Sequence, residues 1–356
     1  MEERYEVLCR TTRVIGSIRS RMAGFDALKV SPARKSGSWL ALVAMGCAFS
    51  SAIAGAQMPP QINSLADAQR LSESVADKHG ILTSVDNTCL FYRYWPSRES
   101  PSTERVVVVL HGIGYHSGPY KVIADVLNPH GIHVYALDAR AHGLSCGRRG
   151  YLATTAQAVD DVSSIVRFVK KQRPTAKIYL LGESMGGAFA LNYVRGNSNQ
   201  IDGLILLAPA INVNNHQLFK IENLRLLPYF LFAHRTPAIS LVDKRLEESS
   251  RDPQFIAERR TDPLAYKSVG FGYLWDIKHL VRNWKSEIVP HLNAPTLIVQ
   301  GGKDLIVSHK DCEALVRTRG TSDGQYRVFR DARHTTLWDP ETPEILGLVR
   351  EWILVH

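Results

Sequence analysis

Ser184 in Gly182-Glu183-Ser184-Met185-Gly186, Asp304 and His334 are the residues of this chain whose types and order suit acyl transfer. A serine hydroxyl is a weak nucleophile at neutral pH. It becomes effective when a histidine takes its proton and a carboxylate holds that histidine in orientation. On a sharp strand-to-helix turn the hydroxyl projects from the fold, and the first N–H groups of the helix face a developing oxyanion. Ser184 has that setting, with the apolar run Lys177 to Leu181 before it and a helix-like segment, Ala188 to Arg195, after it.

The Gly-x-Ser-x-Gly spacing alone is a weak signal, because three fixed positions match by chance in roughly one chain in ten of this length. A second copy, Gly143-Leu144-Ser145-Cys146-Gly147, makes the point within the same chain. Ser145 lies well past the run His133 to Leu137 and is followed by Arg148-Arg149-Gly150-Tyr151, with no immediate helix. Context therefore selects Ser184 as nucleophile and leaves Ser145 as a loop residue.

Chain order then selects the partners. The acid should follow a strand end, as Asp304 does in Thr296-Leu297-Ile298-Val299-Gln300-Gly301-Gly302-Lys303-Asp304. Asp243, Asp252, Asp262 and Asp276 lack a preceding strand. Of the histidines after Asp304, His309 is too close in sequence and His356 is the last residue. His334, on the loop between a strand ending at Phe329 and the final helix, is left as general base and acid. His111-Gly112-Ile113-Gly114 follows the strand Val106 to Leu110, and the N–H groups of Ile113 and Met185 are assigned as the oxyanion hole. His111 and His116 precede the serine and shape this loop by hydrogen bonds.

Positioning these groups takes a sheet. Gly80 to Trp95 reads as a β-hairpin around Asp86-Asn87, after a helical approach from Ser64 to Lys78. Strands at Val106 to Leu110, His133 to Leu137, Lys177 to Leu181, Leu204 to Leu207, Thr296 to Gln300 and Gln325 to Phe329 follow. Helices at Tyr120 to Leu127, Thr154 to Gln172, Ser308 to Arg317 and Pro343 to Val355 separate them. That alternation implies an α/β fold with a mostly parallel central sheet flanked by helices, and a site at the carboxyl ends of its strands. The alternation breaks over residues 211–293, which reads as an inserted, mainly helical cap. The α/β core is then residues 57–210 and 294–356. Within the cap, the apolar run Leu224 to Phe232 supplies a lining or a membrane-facing patch, with Phe230 and Phe232 as candidate substrate-binding residues.

Residues 1–56 stand apart. Lys29, Arg34 and Lys35 precede an apolar stretch from Trp39 to about Ile53 that ends in Ala54-Gly55-Ala56, the layout of a secretory signal cleaved near Ala56. Its basic region is long for a start at Met1 and suits a start at Met22. The alternative is a retained membrane anchor, for which Trp39 to Ala56 barely suffices. The expectation is export to a periplasmic or extracellular compartment.

The leader carries eight Lys and Arg against four Asp and Glu, so +5 of the formal net charge of +9 belongs to the remaining 300 residues. This spread excess suits an anionic membrane surface, and no basic run with interleaved aromatics points to nucleic acid. Cys89, Cys146 and Cys312 remain beyond the leader, without a C-x-x-C pair; they leave room for one disulfide and support no zinc site.

His111-Gly112-Ile113-Gly114-Tyr115-His116-Ser117-Gly118, Asp138-Ala139-Arg140-Ala141-His142-Gly143, Gly182-Glu183-Ser184-Met185-Gly186-Gly187, Gly302-Lys303-Asp304 and His334 together resemble one family. They are similar to the monoacylglycerol lipase and lysophospholipase branch of the α/β-hydrolases, of serine aminopeptidase S33 type. The resemblance covers roughly Val106 to the C-terminus. It implies a cap that admits an acyl chain, an ester hydrolase acting on a monoacylglycerol, lysophospholipid or similar lipophilic ester, and no metal or organic cofactor. Family members commonly carry an acidic and a basic residue where this chain has Tyr115 and Pro119, while Asp138 and Arg140 match structural positions. Aminopeptidase and transacylase activities use the same triad and stay open, as does a non-catalytic binding role. Oligomeric state is not readable from the sequence.

Overall fold

Arg105–Leu110, an almost unbroken run of valines, forms the strand from which the rest of the sheet is laid out. The computed structural model describes residues 59–99, 103–152, 154–212, 233–234, 236–237, 239–318 and 323–356. The leader at residues 1–56, Phe230 and Phe232 lie outside them.

In chain order the described elements begin with α1 (Leu65–Ser72), β1 (His79–Thr83), β2 (Cys89–Trp95), β3 (Arg105–Leu110) and α2 (Lys121–Leu127). They continue with β4 (Ile132–Leu137), α3 (Thr155–Gln172), β5 (Lys177–Glu183), α4 (Met185–Asn197) and β6 (Gly203–Leu207). After residue 211 come β7 (Ile239–Ser240), α5 (Lys244–Ser249), α6 (Pro253–Thr261), β8 (Ser268–Val269), α7 (Phe271–Leu280) and α8 (Trp284–Glu287). The last are β9 (Thr296–Gly301), α9 (His309–Thr318), β10 (Gly324–Phe329) and α10 (Thr342–Val355).

The main sheet has eight strands in the order β1-β2-β4-β3-β5-β6-β9-β10. Strand β2 runs antiparallel to β1 and β4, and every other pairing is parallel. This is the mostly parallel α/β sheet that the sequence implies. Strand β3 shows why the run is so apolar: Val106, Val108 and Leu110 join one core cluster while Val107 and Val109 join the other. Helices cover both faces, so neither side of the strand meets water. Residues of α3, α4, α7 and α9 pack on the first face, and those of α2 and α10 on the second. Each fully buried valine or leucine contributes about 2 kcal/mol.

Two local readings change. Helix α1 ends at Ser72 instead of running to Lys78. The Asp77 carboxylate accepts the Trp95 indole N–H at 2.8 Å and the Lys78 carbonyl accepts the Tyr94 N–H at 2.7 Å, which draws residues 77–78 alongside β2. The described part of residues 211–293 contains, besides its helices, an antiparallel ribbon of β7 and β8. Tyr273, Ile277 and Leu280 of α7 pack into the core cluster that holds Met185, Ala188 and Leu191 of α4. Cys89 and Cys146 form a disulfide that ties β2 to the loop after β4, and Cys312 is buried and free.

Candidate active site

The carboxyl ends of β3, β5, β9 and β10 lie along one edge of the parallel sheet, and the loops leaving them carry the candidate residues. Ser184 occupies the single position between β5 and α4, at φ 48° and ψ −108°. A side chain rarely adopts that backbone region, which costs about 1–3 kcal/mol and persists only where neighbours enforce it. Here the Ser184 N–H donates to the Leu207 carbonyl at 3.0 Å, and the Ser184 carbonyl accepts from Ala210 N–H at 2.9 Å. Glycine is required beside it. A Cβ on Gly186 would lie 2.0 Å from the Leu110 carbonyl oxygen, and one on Gly182 would lie 2.4 Å from the Gly186 carbonyl oxygen.

Ser184, His334 and Asp304 come together. The Ser184 hydroxyl lies 2.9 Å from His334 Nε2, and His334 Nδ1 lies 2.8 Å from Asp304 Oδ2. All three are buried. Asp304 also accepts Gln300 Nε2–H at 2.7 Å on Oδ2, and the N–H groups of Ile306 at 2.7 Å and Val307 at 3.1 Å on Oδ1. With its other lone pairs so occupied, the carboxylate is left to accept from Nδ1, and Nε2 then faces the serine as acceptor. The loop carrying His334 is tied to the end of α5, where the Ser249 carbonyl accepts from both the N–H and the hydroxyl of Thr335.

Electrostatics match that geometry. Burial disfavours the His334 imidazolium, but the charge of Asp304 and its hydrogen bond outweigh burial and raise the His334 pKa. Burial likewise opposes ionisation of Asp304, and His334 with the two backbone N–H groups reverses it, so the Asp304 pKa is lowered. The pair is thus set to accept and hold a proton taken from Ser184.

Met185 is the first residue of α4, and Ile113 lies in the loop after β3. Neither N–H donates within the protein among the described residues. His111 and His116 fix this loop from two sides. His111 Nε2 accepts the Ala139 N–H at 3.0 Å while Nδ1–H faces the Gly112 carbonyl at 2.8 Å, and burial pushes its pKa down to about 4. His116 Nδ1 accepts the Gly118 N–H at 3.1 Å, so Nε2–H points to Asp262 Oδ2 at 2.8 Å. The Gly114 carbonyl receives Arg259 Nη2 at 2.8 Å and the Tyr266 N–H at 2.9 Å. Tyr115 packs its ring against Phe255 and Trp338 with the Arg259 guanidinium 4.6 Å above it.

Ser145 is bound into the fold. Its hydroxyl oxygen accepts the Phe91 N–H at 2.8 Å and donates to the Asp138 carbonyl at 2.6 Å, with no exposure. Asp138 accepts the N–H groups of Ser117 and Leu144, and Arg140 pairs with Asp86 and Asp161. Gln300, Tyr120 and Glu183 are the site residues that sequence reasoning did not single out. Gln300, near the end of β9, lies four residues before Asp304 on the loop that follows, which is its one available signal. Among the described residues no group of three His, Cys, Asp or Glu side chains is placed to hold a metal, and no helix is long and apolar enough to cross a membrane.

Residues 101–341 match the family model described as serine aminopeptidase, S33. A monoacylglycerol lipase of Mycolicibacterium smegmatis is 27% identical over 273 residues, covering 76% of this chain and 95% of that protein. A monoglyceride lipase homolog of monkeypox virus is 30% identical over 252 residues, covering 70% and 88% respectively. Among solved structures, the Paleococcus ferrophilus monoacylglycerol lipase superposes with a TM-score of 0.62 at 25% identity, over 75% of this chain and 99% of that one.

Proposed function

Because the chain belongs to the serine aminopeptidase S33 family of α/β-hydrolases and is a carboxylic ester hydrolase, we propose that it cleaves monoacylglycerols or lysophospholipids through an acyl-enzyme on Ser184. The observation that carries this reading is the unbroken line from Ser184 Oγ through His334 to Asp304, at 2.9 and 2.8 Å.

His334 Nε2 takes the hydroxyl proton as Ser184 Oγ bonds to the ester carbonyl carbon. The carbonyl oxygen becomes an oxyanion facing the N–H groups of Ile113 and Met185, where losing one donor costs about 100- to 1,000-fold in turnover. Collapse of this adduct breaks the bond to the alcohol, which leaves with the proton held on His334. Water then enters, gives a proton to His334 and attacks the acyl carbon. The carboxylic acid departs, and the proton returns to Ser184.

The names of the relatives and the apolar run Leu224 to Phe232 support a lipophilic acyl group. While an apolar pocket is being filled, each added methylene gains about 0.8 kcal/mol, a factor of about four. The value of kcat/KM on p-nitrophenyl esters is therefore expected to climb from acetyl to medium or long chains, and Phe230→Ala or Phe232→Ala to flatten the climb. A strict acetyl preference contradicts the lipid reading. Comparing glycerol, phosphocholine and aminoacyl leaving groups separates lipase, lysophospholipase and aminopeptidase activities. Of the carboxylates available to hold a substrate amine, Glu247 is paired with Arg260 at 2.6 Å.

Export is part of the proposal. The Cys89–Cys146 disulfide supports folding in an oxidising compartment, and residues 1–56 have the layout of a cleaved signal. N-terminal sequencing of the exported chain is expected to start near Gln57; recovery of the full leader in membranes supports a retained anchor instead.

A further inference from the structure

Glu183 is the last residue of β5, next to the nucleophile, and its side chain is buried. A buried carboxyl costs free energy unless something compensates it, so what Glu183 contacts matters. Oε1 has no hydrogen-bond partner among the described residues. Oε2 accepts from the Tyr120 hydroxyl, and that same hydroxyl oxygen accepts the Gly112 N–H at 2.8 Å. The chain of bonds thus runs from the nucleophile's neighbour to the residue preceding Ile113 in the loop after β3. The Tyr120 ring is itself held edge-on by Trp338, 5.2 Å between centroids, and Trp338 lies four residues after His334. Glu183, Tyr120 and Gly112 therefore join three segments around one reaction centre.

We propose that Glu183 is a positioning residue for the oxyanion loop: through the Tyr120 hydroxyl it holds the Gly112 N–H, and with it the adjoining Ile113 N–H, where the Ser184 oxyanion will form. The inference rests on the Ser184 acyl-enzyme reading. Oxyanion donors act only when aimed at the place the charge develops, and a misplacement of about 1 Å can cost about 100-fold. Burial pushes the Glu183 pKa up to about 7, against the opposing effects of the Tyr120 hydrogen bond and the His334 charge. Both the neutral and the ionised carboxyl keep an oxygen for the Tyr120 hydroxyl, so the brace survives protonation.

The test compares E183L, E183Q and Y120F in the full chain. Their kcat and KM are measured on one p-nitrophenyl ester, and their rate of labelling by a fluorophosphonate is measured in parallel. E183L removes the acceptor and Y120F removes the relay hydroxyl, so each is expected to lose about 10- to 100-fold in kcat. KM should stay within about threefold, and the labelling rate should fall in step with kcat. E183Q keeps an oxygen for Tyr120 and is expected to lie closer to the parent than E183L. If E183L does not fold, Y120F, which deletes one oxygen, carries the same reading. An unchanged kcat in Y120F, a loss confined to KM, or E183Q falling as far as E183L overturns the proposal. Labelling that still maps to Ser184 in these variants leaves the acyl-enzyme reading standing whatever their rates, so the two ideas fail separately.

Discussion

Ser184→Ala is expected to lower kcat by about a million-fold while leaving the fold in place. The substitution removes one oxygen, whose hydrogen-bond partner is His334, and both residues lie in the site rather than in the apolar core. Alanine meets the same positive φ at position 184 as serine does, so backbone strain at the turn is unchanged. The residual rate comes from substrate binding and the oxyanion loop, which by themselves support about 1,000- to 10,000-fold over water. Steady-state kinetics on the preferred ester, with a thermal melt as control, check this. A variant that melts normally and retains a substantial fraction of parental kcat removes Ser184 from the reaction.

Asp304→Asn is expected to cost about 10⁴-fold in kcat, for a reason visible in the hydrogen bonds around the carboxylate. Oδ1 accepts two backbone N–H groups, from Ile306 and Val307, so the amide oxygen of an asparagine must sit there. Its NH₂ then takes the place of Oδ2, where it meets His334 Nδ1 and the Gln300 amide, both donors in the parent. His334 can accommodate that NH₂ only by accepting on Nδ1. Nε2 must then carry the proton and point it at Ser184, which is the wrong tautomer for a base.

The pH dependence should move as well. Activity needs neutral His334, so the parent loses kcat/KM as the pH falls through a pKa that Asp304 holds above the ordinary histidine value. Without the carboxylate, burial dominates and lowers that pKa. The acid limb of Asp304→Asn should therefore lie at lower pH than the parent's, on a much smaller plateau. A limb that stays in place or moves to higher pH contradicts the assigned coupling.

Much of this site was legible in the sequence because each part sits where a strand ends. The valine run of β3 and the apolar run of β5 announce strands buried on both faces. With Ser184 selected by its strand and helix, chain order together with strand and loop context selects Asp304 and His334. Ser145 has the same five-residue spacing but lacks the strand and helix context; in the structure its hydroxyl serves Phe91 and Asp138.

What stayed hidden depends on contacts across long separations. Tyr120 and Glu183 are 63 residues apart, and nothing local marks either as the other's partner. Cys89 and Cys146 are 57 apart with a third cysteine present, so pairing could not be read from spacing. The β7–β8 ribbon pairs two residues with two, too few to leave a period of alternation. The end of α1 at Ser72 is not marked locally, because tertiary bonds to β2, made by Asp77 and Lys78, decide it.

The most direct test of the central claim is covalent labelling by a fluorophosphonate, followed by peptide mapping of the parent, Ser184→Ala and Ser145→Ala. The account predicts one adduct on the peptide carrying Ser184, lost in Ser184→Ala and retained in Ser145→Ala. Labelling that survives Ser184→Ala, or an adduct that maps to another residue, contradicts it.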